Sequence, residues 1–215
     1  MATDVQGNGH KAQDVLDFWF PATGHEATMD SHMAFWTERM QGGMDADIVA
    51  RFADLTRAAA MGELDRWAQS PRGRLALVIA LDQFPRSLWR DTPAAFAQDI
   101  KAARLALDGI ANGDIWDLAP WEAEFFIIAI SHCEGPDHLA RMHMLHDVAE
   151  HNIARLPVVL APLGARIRAQ LARVTGNIAR FGRHPHRNAV LSRLSTADET
   201  AYIAAGDFPH LPPRQ

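Results

Sequence analysis

Apolar residues recur at helical spacing along nearly the whole chain. In DADIVARFADLTRAAA (45–60), Ile48, Phe52, Leu55 and Ala59 step by four, three and four, which places one stripe on one helix face. In LGARIRAQLARVTGNIARF (163–181), Ile167, Leu171, Val174, Ile178 and Phe181 step by four, three, four and three. Gly182 follows as a C-cap. Two segments, RGRLALVIALDQF (72–84) and WEAEFFIIAISH (121–132), are apolar on all sides, so they predict buried helices. Shorter helices are expected over 11–20, stopped by Pro21, over 29–41, ended by Gly42-Gly43, and as a turn in GELDRW. Asp91-Thr92-Pro93 opens a helix closed by Gly109, and Asn112-Gly113 is a turn. Asp137 should cap a helix over 138–156, and Thr196 with Glu199 makes a capping box for 197–206.

No stretch alternates with period two, and no linker or low-complexity segment divides the chain. The expectation is an all-α fold of about nine to ten antiparallel helices in a single domain over 1–215. The ends, 1–10 and 207–215, should be loose.

Composition narrows the function classes. The longest apolar runs, LALVIAL (75–81) and FFIIAI (125–130), are too short for a bilayer span, so no membrane role is expected. The polar start, MATDVQGNGHKAQD, has no signal-peptide pattern. Cys133 stands alone, which allows no internal disulfide and fits a reducing, cytoplasmic setting. From His151 to Ala197 there are eight arginines and no Asp or Glu, within a chain of net charge −5. A basic segment in an acidic protein docks on its own acidic segments, so nucleic acid is not expected as a partner.

The candidate chemistry lies where the strongly apolar helices end. Asp82 falls at the C-terminal end of a buried helix, where it loses hydration and faces the negative end of the dipole. Arg86, four residues on, is its local cation, although Pro85 should interrupt the helix between them. His132 closes the other apolar helix, and Glu134 beside it needs a cation as Asp82 does. Cys133 reads as a small buried thiol.

The third cluster is RFGRHPHRN (180–188). Arg180 ends a helix, Gly182 stops it, Pro185 stiffens the turn, and Asn188 should cap a short helix over AVLSRL (189–194). Arginine suits bidentate pairing with carboxylates. The economical expectation is that Arg183 or Arg187 neutralises Asp82 or Glu134. His143, His146, Asp147 and Glu150 sit close together on one helix but match no recognised zinc spacing. They are weak metal candidates, and the sequence points to no particular cofactor.

VLDFWF, LALVIALDQFPRSLWRDTPAAFAQD, the His-x-Glu of SHCEG, and RFGRHPHRN followed by VLSRLST together resemble the bacterial domain-of-unknown-function 924 family. The resemblance runs from about Val15 to Tyr202. It implies a TPR-like stack of helices and, by the family's own name, no assigned reaction. Members usually carry Phe where His184 stands and Ser-Glu-Asp where Cys133-Glu134-Gly135 stands. Many also have a histidine about a turn before the RFGR motif, which the residues around Val174 do not supply. Asp82, Gln83, Arg86, His132, Glu134, Arg180, Arg183, His186, Arg187 and Asn188 match the motifs.

Three function classes follow. In the first, the polar cluster forms a pocket for an anionic small molecule, with His132, Glu134 or His186 moving protons and Asp82, Gln83, Arg86, Arg180, Arg183, Arg187 and Asn188 as ligand-binding candidates. Alternatively, a TPR-like groove takes a peptide or protein, with Trp36, Trp67 and Trp116 as contact candidates. In the third reading the motifs are a buried ion-pair network and nothing more.

Overall fold

The computed structural model describes residues 9–206 and 208. The loose ends expected over 1–10 and 207–215 fall almost wholly outside the described residues. Among the described residues there are helices and turns but no strand. The α-helices are α1 (Ala12–Trp19), α2 (Met29–Glu38), α3 (Asp45–Ala60), α4 (Pro71–Val78), α5 (Phe84–Leu88), α6 (Asp99–Ala111), α7 (Pro120–His132), α8 (His138–Ala154), α9 (Leu163–Phe181) and α10 (Ala197–Ala205).

The centre is the rod made by α4 and α5. Every residue from Leu75 to Leu81 is fully buried, as the all-round apolar pattern predicts. The helices α1, α6 and α7 pack against α4, and α3 packs against α5. From α6 onward each helix packs on the next, α6 on α7, α7 on α8 and α8 on α9. Short connections make such neighbours. The apolar stripe of α9 turns inward through Leu171, Val174 and Ile178. Among the described residues, no helix is long and apolar enough to cross a membrane. Trp36, Trp67 and Trp116 are half-buried and pack on the core.

Several local expectations are corrected. Pro85 does not break the rod. The chain widens into a π-helical turn, Ile79–Gln83, and continues as α5. A proline lacks the N–H and crowds the carbonyl four residues back, and a locally wider turn accommodates both. Gly109 does not close α6, which runs on to Ala111. A Cβ at Gly109 would fall 2.4 Å from the Phe126 ring, so glycine serves the contact between α6 and α7. The stop comes at Gly113, with φ 88°. The segment after Asp91 begins as a 3₁₀ turn, Pro93–Phe96, before α6 starts. Asp137 makes no cap hydrogen bond and instead binds Arg141 at 3.1 Å. Asn188 heads no helix: residues 189–192 form turns, with Ser192 at φ 55°. By contrast, Gly182 adopts the left-handed C-cap and Thr196–Glu199 forms the capping box, both as expected.

Candidate functional site

The π turn in the central rod shapes the polar cluster. It leaves Asp82 fully buried and turned toward the end of α7. His132, the last residue of α7, meets it there: the ring Nδ1 lies 2.9 Å and 3.1 Å from the two carboxylate oxygens. Arg86 reaches the same carboxylate at 3.2 Å, so the i,i+4 pair survives the proline. Gln83 donates its side-chain amide to the other oxygen. Burial alone would raise the Asp82 pKa, but the charges of Arg86 and His132 and both hydrogen bonds outweigh it. Asp82 is therefore held well below the usual carboxylate range and accepts from the Nδ1–H. In the neutral ring the bare nitrogen is then Nε2, which makes no hydrogen bond to the described residues.

A second carboxylate completes the cluster. Asp99, in the first turn of α6, accepts from Arg86 at 3.0 Å and from Arg187 at 3.0 Å. Arg187 also donates to the His132 carbonyl at 2.9 Å and lies over the Phe96 ring. Burial raises the Asp99 pKa against the pull of both arginines, and burial lowers that of Arg187. Both partners are pushed toward their neutral forms, so desolvation outweighs attraction in this pair. The chain keeps a costly arrangement here.

Beside the cluster opens a cavity of about 700 Å³. Gln83, Arg86, His132, His186 and Arg187 line it at one end. Ile127, Ile128, Leu171 and Val174 make an apolar middle. Both π turns among the described residues border it, Ile79–Gln83 through Gln83 and Arg39–Gly43 through Arg39 and Gly42. Arg39 forms no ion pair among the described residues. Its guanidinium lies 3.8 Å from the Phe35 ring centre, its Nε is buried without a partner, and burial lowers its pKa. At the rim Arg90 pairs with Asp45, and Asp91 is exposed.

Other expected site residues lie elsewhere. Arg183 neutralises neither Asp82 nor Glu134: it makes a bidentate pair with Glu199 at 2.6 Å and 2.8 Å, fastening α10. Glu134 is neutralised by Arg193 and accepts the His184 backbone N–H at 2.7 Å. Asn188 is buried, donates to Ser195 at 2.9 Å and accepts from Arg193 at 3.0 Å. Arg180 is largely exposed, 3.9 Å from Asp198. These four residues tie down the 183–199 segment and do not line the cavity. Arg187 does neutralise a carboxylate, but Asp99 rather than the two expected. Cys133 is a buried free thiol whose pKa burial raises.

The weak metal candidates are engaged separately. Glu150 pairs with Arg168 at 2.6 Å, His146 contacts the Thr175 hydroxyl at 3.1 Å, and His143 and Asp147 are exposed. Among the described residues, no three His, Cys, Asp or Glu side chains are grouped to hold a metal ion.

Sequence reasoning missed three residues. Asp99 was not singled out, and its signal was its place at the end of the LALVIALDQFPRSLWRDTPAAFAQD motif. Arg39 lay within the helix expected over 29–41 and carried no signal of its own. Glu124 sat against the apolar run in EAEFF, and an acid inside a helix apolar on all sides is the signal that could have found it.

The features so far define an all-helical protein with a cavity beside the C-terminal end of its second apolar helix. The chain matches the family described as bacterial protein of unknown function (DUF924) over residues 15–207, and it belongs to that family. It is similar to a solved protein of unknown function, ATU0120 from Agrobacterium tumefaciens. That likeness has a TM-score of 0.70 and 31% identity, and covers 89% of this chain and 96% of the other. No curated protein matches the chain.

Proposed function

We propose that the cavity binds a small anionic molecule and that His132 moves a proton on it. The carrying observation is the Asp82–His132 pair. An imidazole whose Nδ1–H is fixed by a buried carboxylate offers Nε2 as a base of set orientation. Arg39 supplies the anion attraction, being a cation on the cavity wall with no carboxylate partner among the described residues. Arg86, Arg187 and His186 add polar groups beside His132. The volume suits a metabolite. Two π turns at one cavity also fit a binding site, since such turns recur at functional positions.

The test is a thermal-shift screen with inorganic phosphate, phosphate esters, and mono- and dicarboxylates. At least one should raise Tm by several degrees. Arg39→Gln and His132→Asn should stay folded and lose the shift. The reading fails if no anion moves the wild-type Tm at millimolar concentration.

A second reading, a purely structural ion-pair network, is favoured by one observation: Asp82, Asp99, Arg86 and Arg187 satisfy each other. Under it, His132→Asn changes stability alone, with no ligand effect to lose.

A further inference from the structure

Glu124 is a buried ionisable group of the cavity wall that the binding reading leaves unused. Glu124 lies on α7 eight residues before His132, about 12 Å along the helix axis, and lines the same cavity. Residues Ile127 and Ile128 lie between them on the helix. The Glu124 Oε2 atom is buried and has no hydrogen-bond partner among the described residues.

The groups around Glu124 are uncharged. From α8 the Asn152 amide acts on it by hydrogen bonding, and no charged side chain shifts it. From α9 the cavity is lined by Ile167, Gln170 and Leu171, and from α1 by Trp19. Burial pushes the Glu124 pKa up to about 7, with Asn152 pulling the other way.

A carboxyl in such a wall is disfavoured when ionised. A neutral hydrogen-bonding ligand would be served equally by an amide, which does not titrate. Only a cationic ligand group turns the carboxylate's cost into attraction. We infer that Glu124 receives a ligand's primary amine, so that the cavity takes an elongated molecule with an acidic group at the His132–Arg end, an apolar middle and an ammonium at the Glu124 end. This rests on the cavity being an anion site and narrows the ligand class to ω-amino acids and their relatives.

The probes are ε-aminocaproate, an extended five-methylene amino acid, and caproate, which lacks only the amine. Binding is measured by calorimetry at pH 7 in two buffers of different ionisation enthalpy. The ammonium should ionise Glu124, so ε-aminocaproate should bind at least tenfold more tightly than caproate. It should also release about half a proton more, because a group of pKa near 7 is half protonated there. Any proton change at His132 is common to both probes and cancels. Glu124→Gln should erase both differences and leave caproate affinity unchanged. Equal affinity of the two probes in the wild type, or an amine advantage that survives Glu124→Gln, overturns the inference while the anion site stands. Failure of caproate, ε-aminocaproate and phosphate alike overturns the anion site, and this inference with it. Should the variant not fold, the wild-type proton count decides the matter alone.

Discussion

Arg183 and Arg187 stand one turn apart in the same motif, yet they serve two different regions. Arg183, with Glu134, Arg193, Asn188 and Glu199, belongs to a clamp that is closed on itself: its ion pairs are matched, and the backbone of 184–199 is held between them. Arg187 belongs to the cavity cluster, where Asp82 and Asp99 are buried and shared among Arg86, Arg187 and His132. The clamp is half-exposed and leaves no valence facing outward. The cavity cluster is more deeply buried and leaves His132 Nε2 without a protein partner. Similar residue types thus give fastening in one place and an open, oriented group in the other. Burial and the neighbouring void make the difference.

The largest expected effect comes from Arg187→Ala. It strands the Asp99 carboxylate and the His132 carbonyl in the interior and should cost about 3–5 kcal/mol in urea unfolding. On the clamp side, Glu134→Gln leaves Arg193 without its counter-charge at a half-exposed site and should cost about 2 kcal/mol. The comparison predicts that this variant keeps the full anion-induced Tm shift. A lost shift would show that the two regions are one.

Glu124→Gln should act in the opposite direction and with pH. The folded pKa of about 7 lies above the ordinary glutamate value of 4.5, so the folded protein holds this proton over a range where the unfolded chain has lost it. Stability contributed by this group therefore falls as pH rises from about 4.5 to 7, and the penalty is complete above 7. Glu124→Gln should be near neutral at pH 5 and stabilising by about 2 kcal/mol at pH 8, reduced from the full linkage value by water reaching the cavity side. Urea unfolding at both pH values checks it.

The smallest effect on stability is expected from His132→Asn. The shorter amide can still meet Asp82, whose charge remains matched by Arg86, so the loss should stay near 1 kcal/mol. Its effect on ligand response should be the largest of all. That inversion of stability and binding separates an open site from a clamp.

Much of this protein was written in its periodicity. The burial of 75–81, the inward face of α9, the stop at Gly182 and the Thr196–Glu199 box depend on residues a few positions apart, and local spacing encodes them. The need of Asp82 for a cation was also legible, because a carboxylate at the end of an apolar helix has few ways to survive. Which cation meets which acid was not. Arg187 chose Asp99, Arg183 chose Glu199 and Glu134 chose Arg193, pairs 88, 16 and 59 residues apart. Many such matches satisfy charge equally well on paper. Pro85 was misleading for a related reason, since a π turn absorbs it within a rod that α3 packs against. Glu124 and Arg39 acquire meaning only from a void, and a void is a property of how helices meet. The sequence by itself determined the helices, their buried faces and the presence of unsatisfied charge, because these follow from short-range pattern and desolvation. Only the tertiary structure decided the partners and left the cavity between them, because both are set by packing among residues far apart in the chain.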